Sequence, residues 1–456
     1  MEIEFKFAVP KARLEALQRD MQAGETTRTP LQARYFDTPD AALAAHGVVL
    51  RLRREGTQWV QTAKAVVAGQ GPLHRLEHNA VLDADAATGP AAMPDPARHG
   101  DTPVGALLQK ALGASRESLV ETMSTDIWRL ARHETVEGST VELALDVGQV
   151  MGGSPGGPRA TSEVCELELE LVHGRVEDLV PLAADWARRH GLWFSTLSKA
   201  ERGHRLAGEP GVSHAVKATA PHFPDDGKPH RAKDKAGKTG KAGEGSRKDK
   251  KRQEGKTGCM TGPAVQRAVV AACLAQVLPN ASEIASGNHA AEVVHQLRVG
   301  IRRLRTALRE LAVLTPQHPG LQRFDEGWSP VLQRVFQALG AQRDQEMTAA
   351  AVEPRLDEAG APARMSSAAD LADAPPAAPP ADIGDAVRSP DFQAALIGMI
   401  GFTVADDGDS DGEGDGGDGG DGRDGGDGGV TRGRASAGPS PRAAQAPFPL
   451  ASPGAA

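Results

Sequence analysis

Alternating charged and apolar side chains at the start of the chain constrain its fold more than any other feature. The run from Glu2 to Lys6 reads Glu-Ile-Glu-Phe-Lys. In a β-strand alternate side chains share a face, so Glu2, Glu4 and Lys6 point one way and the apolar residues point the other. A single strand of this kind is ordinarily an amphipathic edge with its charges in water. The consequence for the fold therefore depends on whether the pattern recurs.

The same alternation recurs in two acidic segments and one basic segment. Glu142 and Asp146 lie in one apolar stretch, three glutamates alternate with leucines in Glu166–Leu171, and Arg51 and Arg53 alternate with leucines. Several strands with charge on one face and aliphatic residues on the other predict a barrel lined with charge. Carboxylates bind hard divalent cations, and basic side chains bind the phosphates that such cations bridge. The pattern indicates a metal-dependent enzyme acting on a polyphosphate chain, with an ordinary exposed face as the alternative for the two arginines.

The composition indicates folded domains joined to unstructured segments. Of the 456 residues, 39% are hydrophobic and 4% aromatic, with 52 glycines and 32 prolines. The net charge of −8 averages a Lys/Arg-rich region at 228–256 and an Asp-rich region at 405–427. Three scattered cysteines make neither a disulfide framework nor a zinc site and fit a reducing cytosol. The charged first strand is unlike a signal peptide, and no uninterrupted apolar run approaches the roughly 20 residues of a membrane span. We therefore expect a cytoplasmic protein without a membrane partner.

Shifts in composition divide the chain into four predicted regions. Residues 1–207 read as mostly β with a few helices, 208–258 as a Lys/Gly-rich linker, 259–404 as helical, and 405–456 as a disordered Gly/Asp then Pro/Ala tail. Strands are predicted at Glu2–Val9, Gln32–Asp37, Val48–Arg54, Gln58–Ala65, Arg75–Leu82, Trp128–His133, Val141–Val147 and Glu163–Val172. Helices are predicted at 10–21, 176–190 with Gly191 as C-cap, 264–278, 289–313, 330–339 and 391–402, and a loop at 84–103.

Seven ordered segments of the first region resemble the CYTH family, the triphosphate tunnel metalloenzymes that include inorganic triphosphatases, thiamine triphosphatases and class IV adenylate cyclases. The segments are Glu2–Lys6, Tyr35–Asp40, Arg51–Arg53, Gln61–Lys64, Arg75–Glu77, Glu166–Leu171 and Ser198–Gly203. The resemblance implies an eight-stranded antiparallel tunnel with a charged interior, and thus an α+β protein in which a tunnel barrel precedes an all-α bundle.

The resemblance also implies roles for individual side chains. Glu2 and Glu4, with a glutamate of the 166–170 run, would surround a catalytic Mg²⁺ or Mn²⁺, and Asp146 and the other glutamates would bind a second metal or orient the attacking water. The implied metal ligands are Glu2, Glu4, Asp146, Glu166 and Glu168, and Glu170 points either to metal or to solvent at the mouth. Triphosphate would be held by Lys6, Arg51, Arg53, Lys64, Arg75, Arg129, Lys199 and Arg202. The catalytic set is Glu2, Glu4, Lys6 and Lys64, and Arg132 is an alternative to Arg129.

Several other polar residues are expected to be structural rather than functional. Asp37 and Asp40 flank Pro39 in a sequence typical of a turn. His46 and His78, together with His74, are expected at the surface rather than as ligands.

A predicted helix at about 292–311 carries an apolar stripe beside a basic one. The apolar stripe is Leu297, Ile301, Leu304, Leu308 and Leu311, and the basic stripe is His295, Arg298, Arg302, Arg305 and Arg309. This helix, with the later segment that contains Arg343, resembles the CHAD domain, a helical module fused to CYTH domains and associated with polyphosphate binding. Such a domain has two related bundles and only the first signature is found, so we expect a partial CHAD domain. A solvated basic face and nucleic-acid phosphates are alternatives, although interleaved aromatic residues are missing.

Together these patterns predict a metal-dependent inorganic triphosphatase that converts tripolyphosphate to diphosphate and phosphate. Phosphoanhydride hydrolysis depends mainly on positioning and on electrostatic stabilisation, which suits a charged tunnel. Thiamine triphosphatase, class IV adenylate cyclase and a non-catalytic polyphosphate-binding protein are the alternatives. Glu2 and Glu4 argue against the last, because anion binding alone gains nothing from carboxylates unless a metal is present.

Overall fold

Nine antiparallel strands build the first region. The computed structural model describes residues 2–66, 74–82, 93–113, 119–153, 159–208, 214–221, 223, 261–312, 327–341, 358 and 382–404, without the side chains of residues 2, 66 and 74. The strands are β1 (Glu2–Ala8), β2 (Thr27–Asp37), β3 (Val48–Glu55), β4 (Gln58–Val66), β5 (His74–Leu82), β6 (Val120–Val136), β7 (Ser139–Gly152), β8 (Ala160–His173) and β9 (Trp193–Phe194).

The strands follow one another around a central space. Their order is β5-β4-β3-β2-β6-β7-β8-β1-β9. A short additional pairing of β1 with β5, through Glu2–Arg75 and Ile3–His74, brings the two ends of the eight-strand series together. The short ninth strand extends the pairing of β1, with Phe7 opposite Phe194. The predicted α+β fold with an antiparallel tunnel is confirmed, with one strand more than expected.

Strand pairing lengthens several elements beyond the sequence prediction, and β2, β6 and β7 the most. β6 spans 17 residues and β2 spans 11, whereas periodicity had indicated six residues for each. The added residues Val120–Ile127 are largely polar, so they lack a simple apolar alternation. They are extended because β6 pairs with β2 on one side and β7 on the other. At the β6–β7 hairpin, Glu137 and Gly138 both have positive φ, the conformation that a tight two-residue turn requires.

The described helices of the first region pack against its strands. They are α1 (Leu14–Met21), α2 (Ala42–Ala45), α3 (Pro103–Leu112), α4 (Val176–His190) and α5 (Lys199–Ala207). The α4 helix has its predicted bounds, and Gly191 ends it with φ +61°. The structural role of Asp37 is confirmed, because its buried carboxylate accepts hydrogen bonds from the backbone of Thr38 and Leu43 at 2.7 and 2.8 Å.

His78 is more deeply placed than expected. His78 was predicted at the surface, but its Nδ1 lies 2.9 Å from Nδ1 of His99, which is fully buried. The other nitrogen of His99 lies 2.9 Å from Nε2 of Gln61. This polar cluster attaches the 3₁₀ turn Pro96–His99 to the outer face of β4 and β5, within the region predicted as a loop.

The helical region contains five described helices. They are α6 (Gly262–Ala285), α7 (Ala291–Leu311), α8 (329–341), α9 (Ile383–Arg388) and α10 (Pro390–Val404). The predicted apolar stripe of α7 is buried at Leu297, Ile301, Leu304 and Leu308. The α6 helix is longer than predicted and continues through Pro279, and α8 continues past Gly340 instead of stopping there.

The helical region packs directly on the strand region. One hydrophobic core contains Phe5 and Phe7 of β1, Trp186 of α4 and Phe392 of α10. The described residues from 2 to 404 belong to one compact unit. Residues 214–221, inside the predicted linker, run beside α6, where the side chain of Asn280 bonds both the N–H and the carbonyl of Val216 at 3.1 and 2.8 Å. The remainder of the predicted linker, apart from residue 223, and the predicted tail lie outside the described residues.

One of the described helices, α6, is long and apolar enough to cross a membrane. Of its most apolar stretch, however, 72% is buried within the fold. Core helices of globular domains meet the same criterion, so this helix is weak evidence for a membrane span.

Candidate active site

A cavity of about 580 Å³ lies inside the ring of strands and is lined by charged side chains. Its carboxylates are Glu4, Glu77, Glu142, Asp146, Glu166, Glu168, Glu170 and Glu201. Its cations are Lys6, Arg51, Arg53, Lys64, Arg75, Arg129 and Lys199. The charges of the two signs nearly balance, so the cavity is polar on all sides without a large net charge.

Strand alternation separates these charges onto different walls. The β3 strand directs Arg51 and Arg53 into the cavity, and the neighbouring β4 strand adds Lys64. The β7 and β8 strands carry the opposite charge, with Asp146 directly across from Glu166 in the pairing. The leucines between these charged residues point the other way and enter the hydrophobic cores. A cationic wall and an anionic wall therefore belong to one cavity.

Asp146, Glu166 and Glu168 form an acidic cluster whose ligand atoms lie within 4.8 Å of one another. Asp146 and Glu166 are fully buried. Arg129 donates from Nε to Asp146 Oδ1 at 2.7 Å and from Nη2 to Glu168 Oε2 at 2.5 Å. Lys199 contacts all three carboxylates, with distances of 2.8 Å to Asp146 and 3.1 Å to Glu168. Two protein cations thus lie among three carboxylates, of which Asp146 and Glu166 are buried and Glu168 is half-buried.

The ionisation of this cluster follows from its ion pairs. Burial alone would raise the pKa of the Asp146 carboxyl, but Arg129 and Lys199 outweigh it and hold the pKa below its ordinary value. The pKa of Glu168 lies well below its ordinary value, because Lys199 and Arg129 again overcome the effect of burial. Burial would lower the pKa of Lys199, but the three carboxylates raise it well above the ordinary value. Asp146, Glu168 and Lys199 are therefore charged at neutral pH.

The cluster has the donor set that a hard divalent cation requires. Its ligands are carboxylate oxygens, which suit Mg²⁺ and Mn²⁺. Glu166 Oε2 is buried and accepts no hydrogen bond from the described residues, although Arg202 Nη2 lies 3.9 Å away. A cation bound by all three carboxylates would have to displace the ammonium group of Lys199. The residues present therefore fit a metal, in competition with their own lysine.

A second group of carboxylates lies side by side across three strands. Glu4 of β1 is paired with Glu170 of β8, and Glu170 is paired with Glu142 of β7. Arg75 Nη1 donates to Glu4 Oε1 at 2.7 Å. Burial raises the pKa of Glu170, and the nearby charges of Glu4, Glu142 and Glu77 act in the same direction, while Lys64 opposes them. This row is also suited to binding a cation.

The cationic wall is poised for an anion. Burial lowers the pKa of Arg53, and the neighbouring charge of Arg51 lowers it further. Arg53 donates to Glu55 at 2.6 Å, and Lys64 forms an ion pair with Glu77. Like charges two residues apart on one buried face repel each other. A phosphate between them would relieve that repulsion.

Lys6 has a different environment from the other cavity cations. It is buried, and its Nζ donates to the backbone carbonyl of Leu197 at 2.8 Å. Burial lowers the pKa of Lys6, and Arg75 adds to this effect while Glu166 opposes it. The carbonyl that holds Lys6 belongs to the segment that leads into α5.

The structure brings most of the predicted site residues together but leaves three exceptions. Arg202 lies on α5 near Glu166 and does not line the cavity. The side chain of Glu2 lies outside the described residues, although its backbone pairs with β5. Arg132 points away from the cavity, since it donates to the Asp20 carbonyl at 3.2 Å, so Arg129 is the inward-facing arginine of β6.

Sequence reasoning assigned no definite role to some cavity residues. Glu142 shares its strand face with Asp146, and Glu77 shares its face with Arg75. The period of two would have placed both inside once the neighbouring inward residue was known. By contrast, Thr196 and Ser198 line the cavity from an irregular segment, and no periodic pattern predicts them.

The basic stripe of α7 is partly engaged with neighbouring helices. The guanidinium groups of Arg298 and Arg305 lie 4.9 and 5.9 Å from the ring centre of Phe336 on α8. Arg302 and Arg309 are exposed, and Arg309 contacts Glu310 at 2.9 Å. His295 is half-buried. Arg343 lies outside the described residues.

Two family profiles match the chain over most of these regions. Residues 1–204 match the CYTH domain. Residues 268–403 match the CHAD domain. The chain contains a CYTH domain followed by a CHAD domain. The charged cavity belongs to the CYTH domain, and the basic stripe belongs to the CHAD domain.

A curated relative links the CYTH domain to triphosphatases. The inorganic triphosphatase of Haemophilus influenzae is 30% identical over 179 residues, which is 38% of this chain and 44% of the relative. The match thus spans less than half the length of that enzyme.

Solved structures give weaker matches. A Hippeastrum protein with a dominant triphosphatase activity has 18% identity and a TM-score of 0.34, covering 46% of this chain and 98% of its own. An inorganic triphosphatase has 19% identity and a TM-score of 0.15, covering 38% of this chain and 75% of its own. These scores are low, and the family matches assign the domains.

Proposed function

We propose that the CYTH domain is a metal-dependent inorganic triphosphatase that hydrolyses tripolyphosphate to diphosphate and phosphate. The observation that carries the proposal is the division of one buried cavity into a carboxylate wall on β7 and β8 and a cationic wall on β3 and β4. A polyphosphate chain with its bridging cations requires both kinds of wall at once. The similarity to an inorganic triphosphatase supports the same activity.

The cavity side chains would act mainly by positioning and by charge. Arg51, Arg53 and Lys64 would bind the phosphoryl oxygens and align the chain along the cationic wall. The predicted ligands, Glu4 and the Asp146 cluster with Glu2, would hold Mg²⁺ or Mn²⁺, which when bound stabilises phosphoryl charge as a Lewis acid.

Two further side chains would act on the attacking water and the leaving group. Glu170, whose pKa burial raises, would accept the proton of the attacking water at its carboxylate oxygen, since a raised pKa makes a stronger base. Lys6 would stabilise the leaving diphosphate. Both groups lie in a cavity whose walls limit the access of bulk water.

The cavity lining favours an inorganic chain over a nucleotide or thiamine ester. Tyr35 is the one aromatic residue among the described side chains that line the cavity. Trp59 and Trp193, the other aromatic candidates for a base-binding pocket, do not line it. An enzyme that recognises a purine or thiazolium ring would be expected to offer a larger aromatic or apolar surface.

Each region of the chain has its own proposed role. We assign catalysis to residues 1–207, a linker to 208–258, polyphosphate binding to 259–404, and a tail to 405–456. In the CHAD domain, the basic stripe with Arg343 would bind longer polyphosphate chains, with no role for nucleic acid or a membrane. A cytoplasmic location, where polyphosphate and reduced cysteines occur together, fits these assignments.

Phosphate release from tripolyphosphate, measured with Mg²⁺ and with Mn²⁺, tests the proposed activity. ATP and thiamine triphosphate serve as rival substrates, and Glu4→Gln serves as the site variant. The matched control is Glu163→Gln, because Glu163 lies on β8 but forms an exposed ion pair with Lys11. We expect release that requires metal, favours tripolyphosphate, falls at least about a hundredfold in Glu4→Gln and is retained in Glu163→Gln. If the protein bound polyphosphate but released phosphate from none of the substrates, the result would support a non-catalytic polyphosphate-binding protein instead.

A further inference from the structure

The segment Phe194–Ser198 lies between the CYTH cavity and the CHAD helices, and it contacts both. On the cavity side, the N–H of Ser195 donates to the carbonyl of Lys6 at 2.8 Å, and the carbonyl of Leu197 accepts from Lys6 Nζ at 2.8 Å. Thr196 and Ser198 line the cavity. The segment thus forms part of the wall and holds a cavity cation in place.

The same segment determines where Lys199 enters the cavity. Ser198 is the N-cap of α5, and its hydroxyl accepts from the N–H of Glu201 at 3.1 Å. Lys199 is the first residue of that helix and contacts the Asp146 cluster. A displacement of the segment would therefore move the anchor of Lys6 and the backbone of Lys199 together.

On its other side, the segment is bonded by buried polar side chains of the CHAD domain. Gln393 of α10 accepts from the N–H of Phe194 at 2.7 Å, and its own amide donates to the carbonyl of Val387 at 2.8 Å, which fixes the orientation of the side chain. Ser282 of α6 accepts from the N–H of Thr196 at 3.3 Å. Gln393 and Ser282 are 2% and 3% exposed, so water does not readily replace either bond.

A third contact joins the two domains at the far end of α5. Arg205 Nη1 lies 2.7 Å from Glu283 Oε1, and Glu283 is largely buried next to Ser282 on α6. The helix that begins with Lys199 therefore contacts the CHAD domain at its last turn, and the segment before its first turn contacts the CHAD domain as well.

We propose that Gln393 and Ser282 are positioning residues for the CYTH cavity, holding the Phe194–Ser198 segment so that Lys6 and Lys199 meet the substrate. This inference rests on the proposed triphosphatase function. Neither side chain reaches the cavity, and both act through the backbone of the segment. The CHAD domain thereby becomes part of the apparatus that arranges the cavity, in addition to any binding of its own.

The principal test is Gln393→Met, which keeps the length and the apolar packing of the side chain but removes both hydrogen bonds. The matched control is Asn280→Ala on α6, which removes the partly buried bonds of a fully buried side chain to Val216 and leaves the bonds of the segment in place. We expect kcat/KM for tripolyphosphate to fall about tenfold or more in Gln393→Met and to be retained in Asn280→Ala. Thermal unfolding of both variants separates this effect from a general loss of stability.

Hydrogen exchange supplies a measurement that does not depend on activity. Amide exchange in peptides covering 193–198 should accelerate about tenfold in Gln393→Met but not in Asn280→Ala. A second pair, Ser282→Ala and Ser282→Thr, tests rescue, because threonine keeps the hydroxyl that accepts from Thr196. We expect Ser282→Thr to be more active than Ser282→Ala.

The outcomes separate this inference from the proposed function. Equal activity or equal exchange in Gln393→Met and Asn280→Ala would overturn the positioning role. If the wild type released no phosphate, the triphosphatase function would fail, and tripolyphosphate affinity measured by calorimetry in the metal-free proteins would replace kcat/KM. Weaker binding in Gln393→Met alone would then support the positioning role, and equal binding in the two variants would overturn it.

Discussion

The ammonium nitrogen of Lys199, the first residue of α5, lies 2.8 Å from Oδ2 of Asp146 in the carboxylate-lined cavity. Lys199 also contacts Glu166 and Glu168, so it stands where a divalent cation bound by all three carboxylates would stand. The lysine and the metal are therefore competitors in the free protein. Under the proposed function, Lys199 would exchange carboxylate oxygens for the phosphoryl oxygens of a bound phosphate chain and leave the cluster to the metal.

Replacing Lys199 should separate metal binding from catalysis. In Lys199→Met, loss of the competing charge should tighten Mn²⁺ binding about tenfold or more, while phosphate release falls. Calorimetry gives the affinity, and the rise in the thermal unfolding midpoint with added Mn²⁺ should be larger than in the wild type. Lys11→Met, at an exposed ion pair, serves as the control. Unchanged Mn²⁺ affinity in Lys199→Met would show that the metal binds elsewhere.

Removing one arginine of the cationic wall should weaken substrate binding without destabilising the fold. Arg51 and Arg53 repel each other on one buried face, and this repulsion together with burial lowers the pKa of Arg53. Arg53→Met should therefore raise KM for tripolyphosphate about tenfold or more, with a thermal midpoint equal to or above that of the wild type. Arg54→Gln is the control, because Arg54 is exposed and bonds the Gly56 carbonyl. A marked fall in the midpoint of Arg53→Met would contradict the repulsion argument.

Acid should destabilise the CYTH domain through His99. Burial and the neighbouring His78 lower the pKa of His99 from 6.5 to about 4. The unfolded chain then takes up a proton before the folded one does, so stability present above pH 6.5 is lost as the pH falls toward 4. We expect the urea midpoint to fall between pH 7 and pH 5 in the wild type.

Variants of two histidines test whether His99 causes this loss of stability in acid. In His99→Gln the fall in the urea midpoint should be shallower, whatever the starting stability of the variant. His46→Gln should keep the slope of the wild type, because His46 is exposed. Identical slopes in all three proteins would assign the acid sensitivity to other groups.

The basic stripe of the CHAD domain should bind long polyphosphate independently of the cavity. Arg302 is exposed, and Arg305 is stacked on Phe336 and therefore held in one orientation. The double substitution Arg302→Gln with Arg305→Gln should weaken binding of long-chain polyphosphate about tenfold or more, with tripolyphosphate hydrolysis retained. Filter binding at several salt concentrations measures the first quantity. Arg334→Gln is the control, because Arg334 forms an exposed ion pair with Asp391. Equal polyphosphate binding by the control and the double variant would show that the basic stripe is not the binding site.

Much of the site could be predicted from alternation within single strands. Once Glu4 is taken to point inward, Lys6 must point inward too, and the same holds for Arg51 with Arg53. The choice between Arg129 and Arg132 could not be made in this way, because the polar residues of β6 hide its period. Pairing of Arg129 with Asp146 across β6 and β7 decides it.

The sequence by itself determined which strands carry charge, which face of each strand bears it, and which residue types line the cavity. Local spacing is sufficient for these properties, because the period of two is a property of every β-strand. Only the tertiary structure decided that Lys199 sits among three carboxylates, that Glu4, Glu170 and Glu142 lie in one row, and that Gln393 bonds the segment beside the cavity. These contacts join residues that are 28 to 199 positions apart, depend on strand register and on packing between domains, and leave no trace in local periodicity.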